Sequence, residues 1–188
     1  MATGEIKAGT LLIASPTLRD PNFARTVVLL CEHSAAGSMG LIVNRPTATK
    51  VADVLSGVTK LPPAAEILFR GGPVQPDILL VLHKVDAPVP GAQPVAGGMA
   101  LGGEMQMLVD VLAQTRAPAE RVRVYAGYAG WGEGQLDMEM ATGSWFTYPA
   151  TAEIVFDLDP EETWAAAIRG LGPDFAHLIT MPLDPRVN

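Results

Sequence analysis

Short apolar runs separated by turn-forming residues fill the first half of the chain, and this pattern predicts β-strands. The runs Thr10 to Ala14, Thr26 to His33 and Met39 to Asn44 are bounded by sequences that break regular structure, such as Ser-Pro, Asp-Pro and Ala-Ala-Gly-Ser. Residues 34–38 join the second run to the third, and a loop of that length containing Gly37 predicts an antiparallel hairpin. Further strands are predicted over 66–69 and 77–84, and a short helix over 51–56.

The second half of the chain adds separate helices, so the whole pattern predicts an α+β fold with a mixed, mostly antiparallel sheet. Apolar residues from Met105 to Leu112 recur on one face of a helix that opens at Gly103. Asp159-Pro160 begins another helix, because aspartate caps helix N-termini and proline fits the first helical position. Arg121 to Tyr128 alternates apolar and polar residues as a strand does. The remaining predictions are helical turns over 133–141 and a strand over 144–148.

Composition narrows the class of protein. The chain has 188 residues, of which 48% are hydrophobic; this is enough to bury one core, so we predict a single domain over residues 1–188. No apolar run is longer than that of Val27 to Cys31, which is far below the roughly 20 residues of a membrane helix and is preceded by no export signal. The sequence contains one cysteine, which excludes an intramolecular disulfide. These features predict a cytoplasmic protein without a membrane partner.

Charge is distributed unevenly and argues against general nucleic-acid binding. The net charge is −7, and the acidic excess falls in the second half of the chain. Binding to phosphate backbones depends on clustered Lys and Arg side chains. The densest basic cluster is only Arg121-Val122-Arg123, so non-specific nucleic-acid binding is disfavoured. Folding could still gather Arg25, Arg45 and Arg70 into one groove.

Known catalytic and cofactor templates are missing from the sequence. Cys31 and His33 lie two residues apart on a predicted strand, but the leucines before them favour a packed thiol over a reactive one. No spacing of Cys, His and acidic residues matches a metal site. Glu104 stands near the place where a P-loop needs lysine, and no GxGxxG or GxSxG motif occurs. We therefore predict no cofactor and no metal.

Three segments place large or charged side chains beside residues that fix a special backbone. They are Asn44-Arg45-Pro46, Arg70-Gly71-Gly72-Pro73 and Gly127 to Trp131. Together they predict a concave surface with guanidinium donors and an aromatic wall, suited to a small anion or a carboxylate-bearing peptide. The alternative places Trp131 in the core and Arg45 against a structural carboxylate. The predicted ligand-binding residues are Arg25, Asn44, Arg45, Arg70, Trp131 and Gln135.

These motifs resemble those of the AlgH/YqgE family over nearly the whole chain. The opening block is the most specific part, and only Ser38 departs from it, at a position where the family usually has a small residue such as Ala. The matching segments are 9–16, Asp20, 23–25, 27–33, Gly40-Leu41, 44–46, 71–74, His83, 127–131, 134–136, Glu139, Trp145 and Trp164.

The resemblance implies a bacterial, cytosolic protein whose bifurcated sheet curls into a pseudo-barrel with helices packed around it. It supplies no catalytic residues and no cofactor. Some members of the family are labelled transcriptional regulators, but the acidic charge and the lack of a helix-turn-helix pattern disfavour direct DNA binding. We interpret the chain as a non-enzymatic binding or regulatory module for a small anionic ligand or a protein partner. The alternative is a hydrolase or phosphoryl-handling enzyme that uses His33, Arg45 and Glu104.

Overall fold

The secondary structure follows the predicted order of strands and late helices. The computed structural model describes residues 6–55, 66–84, 88–104 and 121–182. The described residues also form a π-helical turn at Glu153–Asp157 and a 3₁₀ segment at Pro173–Thr180. The strands are β1 Thr10–Ala14, β2 Val27–Ser34, β3 Gly37–Ile42, β4 Pro46–Lys50, β5 Ile67–Arg70, β6 Val74–Lys84, β7 Ala92–Pro94, β8 Ala100–Gly102, β9 Arg121–Gly132 and β10 Trp145–Pro149; the helices are α1 Val51–Val54, α2 Gln135–Ala141 and α3 Pro160–Gly170.

The strands form one ten-stranded sheet in the order β10-β1-β2-β3-β9-β6-β8-β7, with β4 and β5 attached beside β9. The pairing is antiparallel except between β5 and β9. The far end of the sheet curls back towards the segment before β1, where a side chain on Gly9 would overlap Ala96. The fold is therefore α+β with a half-barrel sheet, as predicted.

The apolar runs of β1 and β2 have two buried faces. Because side chains alternate along a strand, Leu11 and Ile13 pack in the cluster that includes Trp164 of α3. Leu12 and Ala14 pack in a second cluster on the opposite face, against α2. Strands covered on both faces need unbroken apolar sequences, and this explains why the sequence pattern here is a run rather than an alternation.

The sheet divides beside β9. Near its end β9 pairs with β3, through Gly37–Gly132 to Gly40–Ala129, and nearer its start it pairs with β5. Gly71 lies between the two branches: its N–H donates to the oxygen of Ala126 (2.9 Å) and its oxygen accepts from Ile42 (2.8 Å). The half-barrel is thus bifurcated at this position.

Glycine is required where the two branches cross. A Cβ on Gly71 would overlap the oxygen of Gly127, and a Cβ on Gly72 would overlap the backbone of Tyr128. Gly127 itself has φ +67°, a conformation that glycine adopts without strain. The Arg-Gly-Gly-Pro and Gly-Tyr-Ala-Gly-Trp motifs therefore first serve the close approach of two backbones.

The predicted boundaries agree with the structure to within a few residues for most elements. The predicted strand over 26–33 is observed as β2 and that over 39–44 as β3, which pair as the predicted hairpin. Asp159 caps α3 by accepting from the N–H of Glu161 (3.0 Å). The helix predicted over 105–112 lies outside the described residues. None of the helices in the described parts of the chain is long and apolar enough to cross a membrane.

Candidate functional site

Two tryptophans share one carboxylate on the outer face of the sheet. The indole N–H groups of Trp131 and Trp145 donate to Oε2 of Glu139, at 3.0 and 2.8 Å. Gln135 donates to Oε1 of the same carboxylate (3.0 Å). Phe23 completes the cluster, with its ring 6.2 Å from Trp131 and 5.6 Å from Trp145. Because buried indoles need an acceptor, Glu139 fixes this cluster, and Trp131 is only 5% exposed.

A large cavity opens where β2, β3, β6 and β9 meet the short strand β7. Its volume is about 1080 Å³. Among the described residues that line it, none is Arg or Lys. Its apolar wall includes Met39, Val74, Ile78, Leu80, Tyr128 and Trp131, and its polar wall includes Glu32, His33, Ser34, Ser38, Gln75 and Gln93.

His33 and Ser38 form a pair at the wall of this cavity. They are opposite each other in the β2–β3 register, and Nδ1 of His33 lies 2.8 Å from Oγ of Ser38. This pair was not predicted from the sequence, because the predicted hairpin was not extended to its cross-strand partners. The signal was present: with residues 34 and 37 closing the turn, positions 33 and 38 must face each other.

Cys31 behaves as the packed thiol that the sequence predicts. The β2–β3 register shifts between Leu30 and Glu32, and Cys31 points into the core with 1% exposure. Burial, and then the charge of Glu32, raise the pKa of the thiol to about 12. A protonated, buried thiol is a poor nucleophile, so this environment disfavours a catalytic role for Cys31.

Asn44 and Arg25 hold structure together at the other end of the hairpin. The Asn44 amide accepts from the N–H of Val27 (2.9 Å) and donates to the oxygen of Arg25 (3.0 Å). The Arg25 guanidinium donates to the oxygen of Met181 (2.7 Å) and lies 5.0 Å from the ring of Trp164. Asn44 is therefore tied to the backbone of residues 25–27, and Arg25 is tied to the backbone of Met181 and to Trp164 of α3.

Arg45 and Arg70 lie together on a second surface. Arg45 donates to the oxygen of Ala24, and Arg70 donates to Oδ1 of Asn22 (3.2 Å). Burial, and then the positive charge of Arg70, lower the pKa of Arg45. The bond that holds Arg45 goes to a backbone carbonyl and not to the structural carboxylate considered in the sequence analysis.

The six predicted binding residues thus fall into three groups. Of the six, only Trp131 lines the large cavity, and Gln135 donates to the Glu139 carboxylate that also binds Trp131. Asn44 binds neighbouring backbone, and Arg25 binds backbone and contacts α3. Arg45 and Arg70 meet elsewhere, so the concave region expected to hold both Arg45 and Trp131 is not this cavity. A ligand-binding role for any of the six stays a prediction.

The three residues of the predicted enzyme alternative are not brought together. His33 lines the cavity, whereas Arg45 and Glu104 do not. Glu104 is exposed beyond β8, where its N–H donates to the oxygen of Pro90 (3.0 Å). Across the described ranges, no three His, Cys, Asp or Glu side chains are grouped so that they could hold a metal ion.

Comparison with known proteins places the chain in a family. Residues 11–176 match the profile DUF179, described as AlgH-like. A UPF0301 protein of Chlorobaculum tepidum is 40% identical over 183 residues, covering 97% of this chain and 96% of that protein. The solution structure of AlgH from Pseudomonas aeruginosa matches with a TM-score of 0.70 and 36% identity, over 97% of this chain and 98% of AlgH. A crystal structure from Corynebacterium diphtheriae shares the fold, with a TM-score of 0.79 and 24% identity over 96% and 95% of the two chains. The chain therefore belongs to the AlgH-like family, as its motifs predicted.

Proposed function

We propose that the protein is a non-enzymatic binding module that holds a small polar ligand in the large cavity. The observation that carries this proposal is the cavity itself, whose volume of about 1080 Å³ is lined by residues of paired strands. Ligand sites are usually preformed, largely apolar and supplied with a few polar groups, and barrel mouths are a common place for them. Apolar side chains such as Met39 and Leu80 supply the apolar contacts, and the His33–Ser38 pair supplies polar groups.

The charge of the wall indicates the kind of ligand. Glu32 is the carboxylate of the lining, and the described lining residues include no Arg or Lys to oppose it. An anion would therefore meet a negative group and no cation. We expect the ligand of this cavity to be neutral or to carry one positive group that faces Glu32.

The rim of the cavity contains strained backbone. Gln75 has φ +46°, in a stretch where the β6–β9 register shifts between Val74 and Leu79. A non-glycine residue in this region costs about 1–3 kcal/mol, and such residues concentrate at binding and catalytic sites. The strain supports a functional use of the rim.

The environment of Cys31 argues against catalysis by its thiol and suits a reducing compartment. The thiol at the cavity, Cys31, is protonated because burial raises its pKa to about 12. The sole cysteine is unpaired and buried, which suits a cytoplasmic protein.

The test is a nuclear magnetic resonance screen of the labelled full chain with neutral, cationic and anionic fragments. Neutral and cationic fragments should shift the amide signals of Ser38, Met39 and Gly130. Ile78→Trp narrows the rim of the cavity. It should weaken the binding of these fragments at least about tenfold, since buried apolar contacts dominate such sites. Val54→Trp is the matched control, because Val54 is exposed to a similar degree (45% against 41%) and lies away from the cavity. Equal effects of the two variants would contradict the proposal.

A hydrolytic activity is the second candidate, and one contact favours it. Nδ1 of His33 lies within hydrogen-bond distance of Oγ of Ser38, which is the spacing of a nucleophile and its base. A fluorophosphonate probe should label wild-type protein but not Ser38→Ala if this candidate is correct. No labelling, together with fragment binding that survives in Ser38→Ala, would leave the binding module as the function.

A further inference from the structure

Arg45 and Arg70 lie opposite each other on neighbouring strands. Pro46 pairs with Phe69 in the antiparallel β4–β5 register. Arg45, just before Pro46, is therefore set opposite Arg70, just after Phe69. The N–H of Arg70 donates to the oxygen of Arg45 (2.8 Å). Side chains directly opposite on antiparallel strands share a face, and like charges placed in this way repel each other.

Both guanidinium groups are directed to one turn of the chain. Arg45 reaches the oxygen of Ala24 and Arg70 reaches the side chain of Asn22. Each of these contacts uses one Nη2 atom, and a guanidinium has five N–H donors. Most donors of both groups therefore lack a partner within the described chain.

Within the described residues, the ion pair found is Arg121–Asp157, and no carboxylate pairs with Arg45 or Arg70. Asp20 belongs to the same turn, but its carboxylate forms no ion pair with either guanidinium and its Oδ1 instead accepts from the N–H of Asn22 (2.8 Å). Burial and the charge of Arg70 lower the pKa of Arg45. The fold thus holds two positive charges on one face without an internal counterion.

We propose that Arg45 and Arg70 form a binding site for a phosphate-type dianion. Two guanidinium forks match the charge and the several acceptor oxygens of such a group, and arginine is favoured where geometry as well as charge recognises an oxyanion. This site is separate from the large cavity and does not depend on the function proposed for it. It also gives the anionic ligand expected from the sequence a place with cationic partners.

The experiment measures thermal unfolding of the full chain against inorganic phosphate, with chloride added to keep ionic strength constant. Phosphate should raise the melting temperature of the wild type in a saturable way. Arg70→Gln should weaken the apparent affinity at least about tenfold, because a charge-assisted contact is lost. The phosphate affinity of Arg70→Lys should lie between those of the wild type and Arg70→Gln, because lysine keeps the charge but lacks the forked guanidinium.

Arg169→Gln is the matched control, since it removes the same charge from an exposed position on α3. This variant should respond to phosphate as the wild type does. Arg45→Gln should abolish the response; if it fails to fold, Arg70→Gln decides, because Arg70 is exposed. A wild type that does not respond, or an Arg70→Gln protein that responds fully, would overturn the site.

Further arms of the titration separate the sources of the anion. Tighter binding of phenyl phosphate than of inorganic phosphate would identify an organic phosphomonoester as the ligand class. The reverse order would identify the free anion, and both orders support the site. Acetate binding as tightly as phosphate would overturn the assignment to a dianion.

Discussion

The two ends of the β2–β3 hairpin have different chemistry although they share two strands. At the turn end, His33 and Ser38 satisfy each other and leave a wide cavity beside them. At the open end, Asn44 and Arg45 bind the backbone of residues 24–27, and Arg45 keeps an uncompensated charge next to Arg70. A side chain can therefore be anchored by a hydrogen bond to the backbone while its charge stays uncompensated. The first end offers space with little charge, and the second offers two positive charges, each held by a single guanidinium contact within the described residues.

The Gly71-Gly72 crossing is bonded to the hairpin at Ile42, the last residue of β3, and breaking this crossing should have the largest effect. Gly72→Ala puts a methyl group against the backbone of Tyr128 and should lower the free energy of unfolding by about 3 kcal/mol. Gly132→Ala is the control, because nothing lies within 4 Å of its added Cβ. Urea unfolding measures both variants. Equal midpoints would show that the crossing does not constrain the sheet.

The next largest effect concerns the thiol at the cavity end. Because burial raises the pKa of Cys31 to about 12, iodoacetamide at pH 8 should alkylate native protein at least about 100-fold more slowly than unfolded protein. Mass spectrometry counts the modified chains over time. Rapid native alkylation would mean that the Cys31 thiol is accessible and reactive, which would contradict its place in the core.

Removing the acceptor shared by the two indoles should weaken the cavity end selectively. Glu139→Ala leaves the N–H groups of Trp131 and Trp145 without an acceptor and should reduce stability by about 2 kcal/mol. Tryptophan fluorescence during urea unfolding reports the change. Glu133→Ala removes an exposed acid nearby and should change stability little. The phosphate response of Arg45 and Arg70 should survive in Glu139→Ala, and its loss would show that the two ends are coupled.

A smaller effect should appear as pH falls. Burial lowers the pKa of His83 below its usual 6.5, against the opposing effect of its bond to Gly102. Below about pH 6.5 the unfolded chain takes up a proton that the folded ring does not. The free energy of unfolding therefore decreases as the pH is lowered. A measurable loss of stability should therefore appear between pH 7 and pH 5.5. His83→Gln should flatten this slope, whereas the exposed His177→Gln should keep it; an unchanged slope in His83→Gln would contradict the assignment.

The smallest expected effect is on duplex DNA. Two arginines at one end of the hairpin make a local anion site, but the net charge of −7 opposes the long phosphate array of a duplex. Micromolar protein should not retard random duplex DNA at about 0.15 M salt, where charges are already screened. A clear mobility shift would mean that the arginine end belongs to a larger basic surface.

Strand positions, the antiparallel hairpin and the cap of α3 were predictable, because they depend on local patterns of apolar, turn and capping residues. The boundaries of β1 agree with the prediction because Thr10 to Ala14 is an unbroken apolar run between turn residues. The burial of Cys31 was predictable in the same way from its leucine neighbours. These features need only residues that are close in sequence.

The grouping of side chains was decided by the tertiary structure alone. Residues 44–45, 70 and 131 stand at strand ends, and the sequence could not say which ends share an edge. The register of β4 with β5 sets Arg45 against Arg70, while Glu139 of α2 accepts the indole N–H of Trp131. Such contacts join residues far apart in the chain, so no local pattern encodes them. Local sequence patterns specify the strands, the helices and the chemical groups they carry. The packing of the bifurcated sheet specifies which of these groups meet.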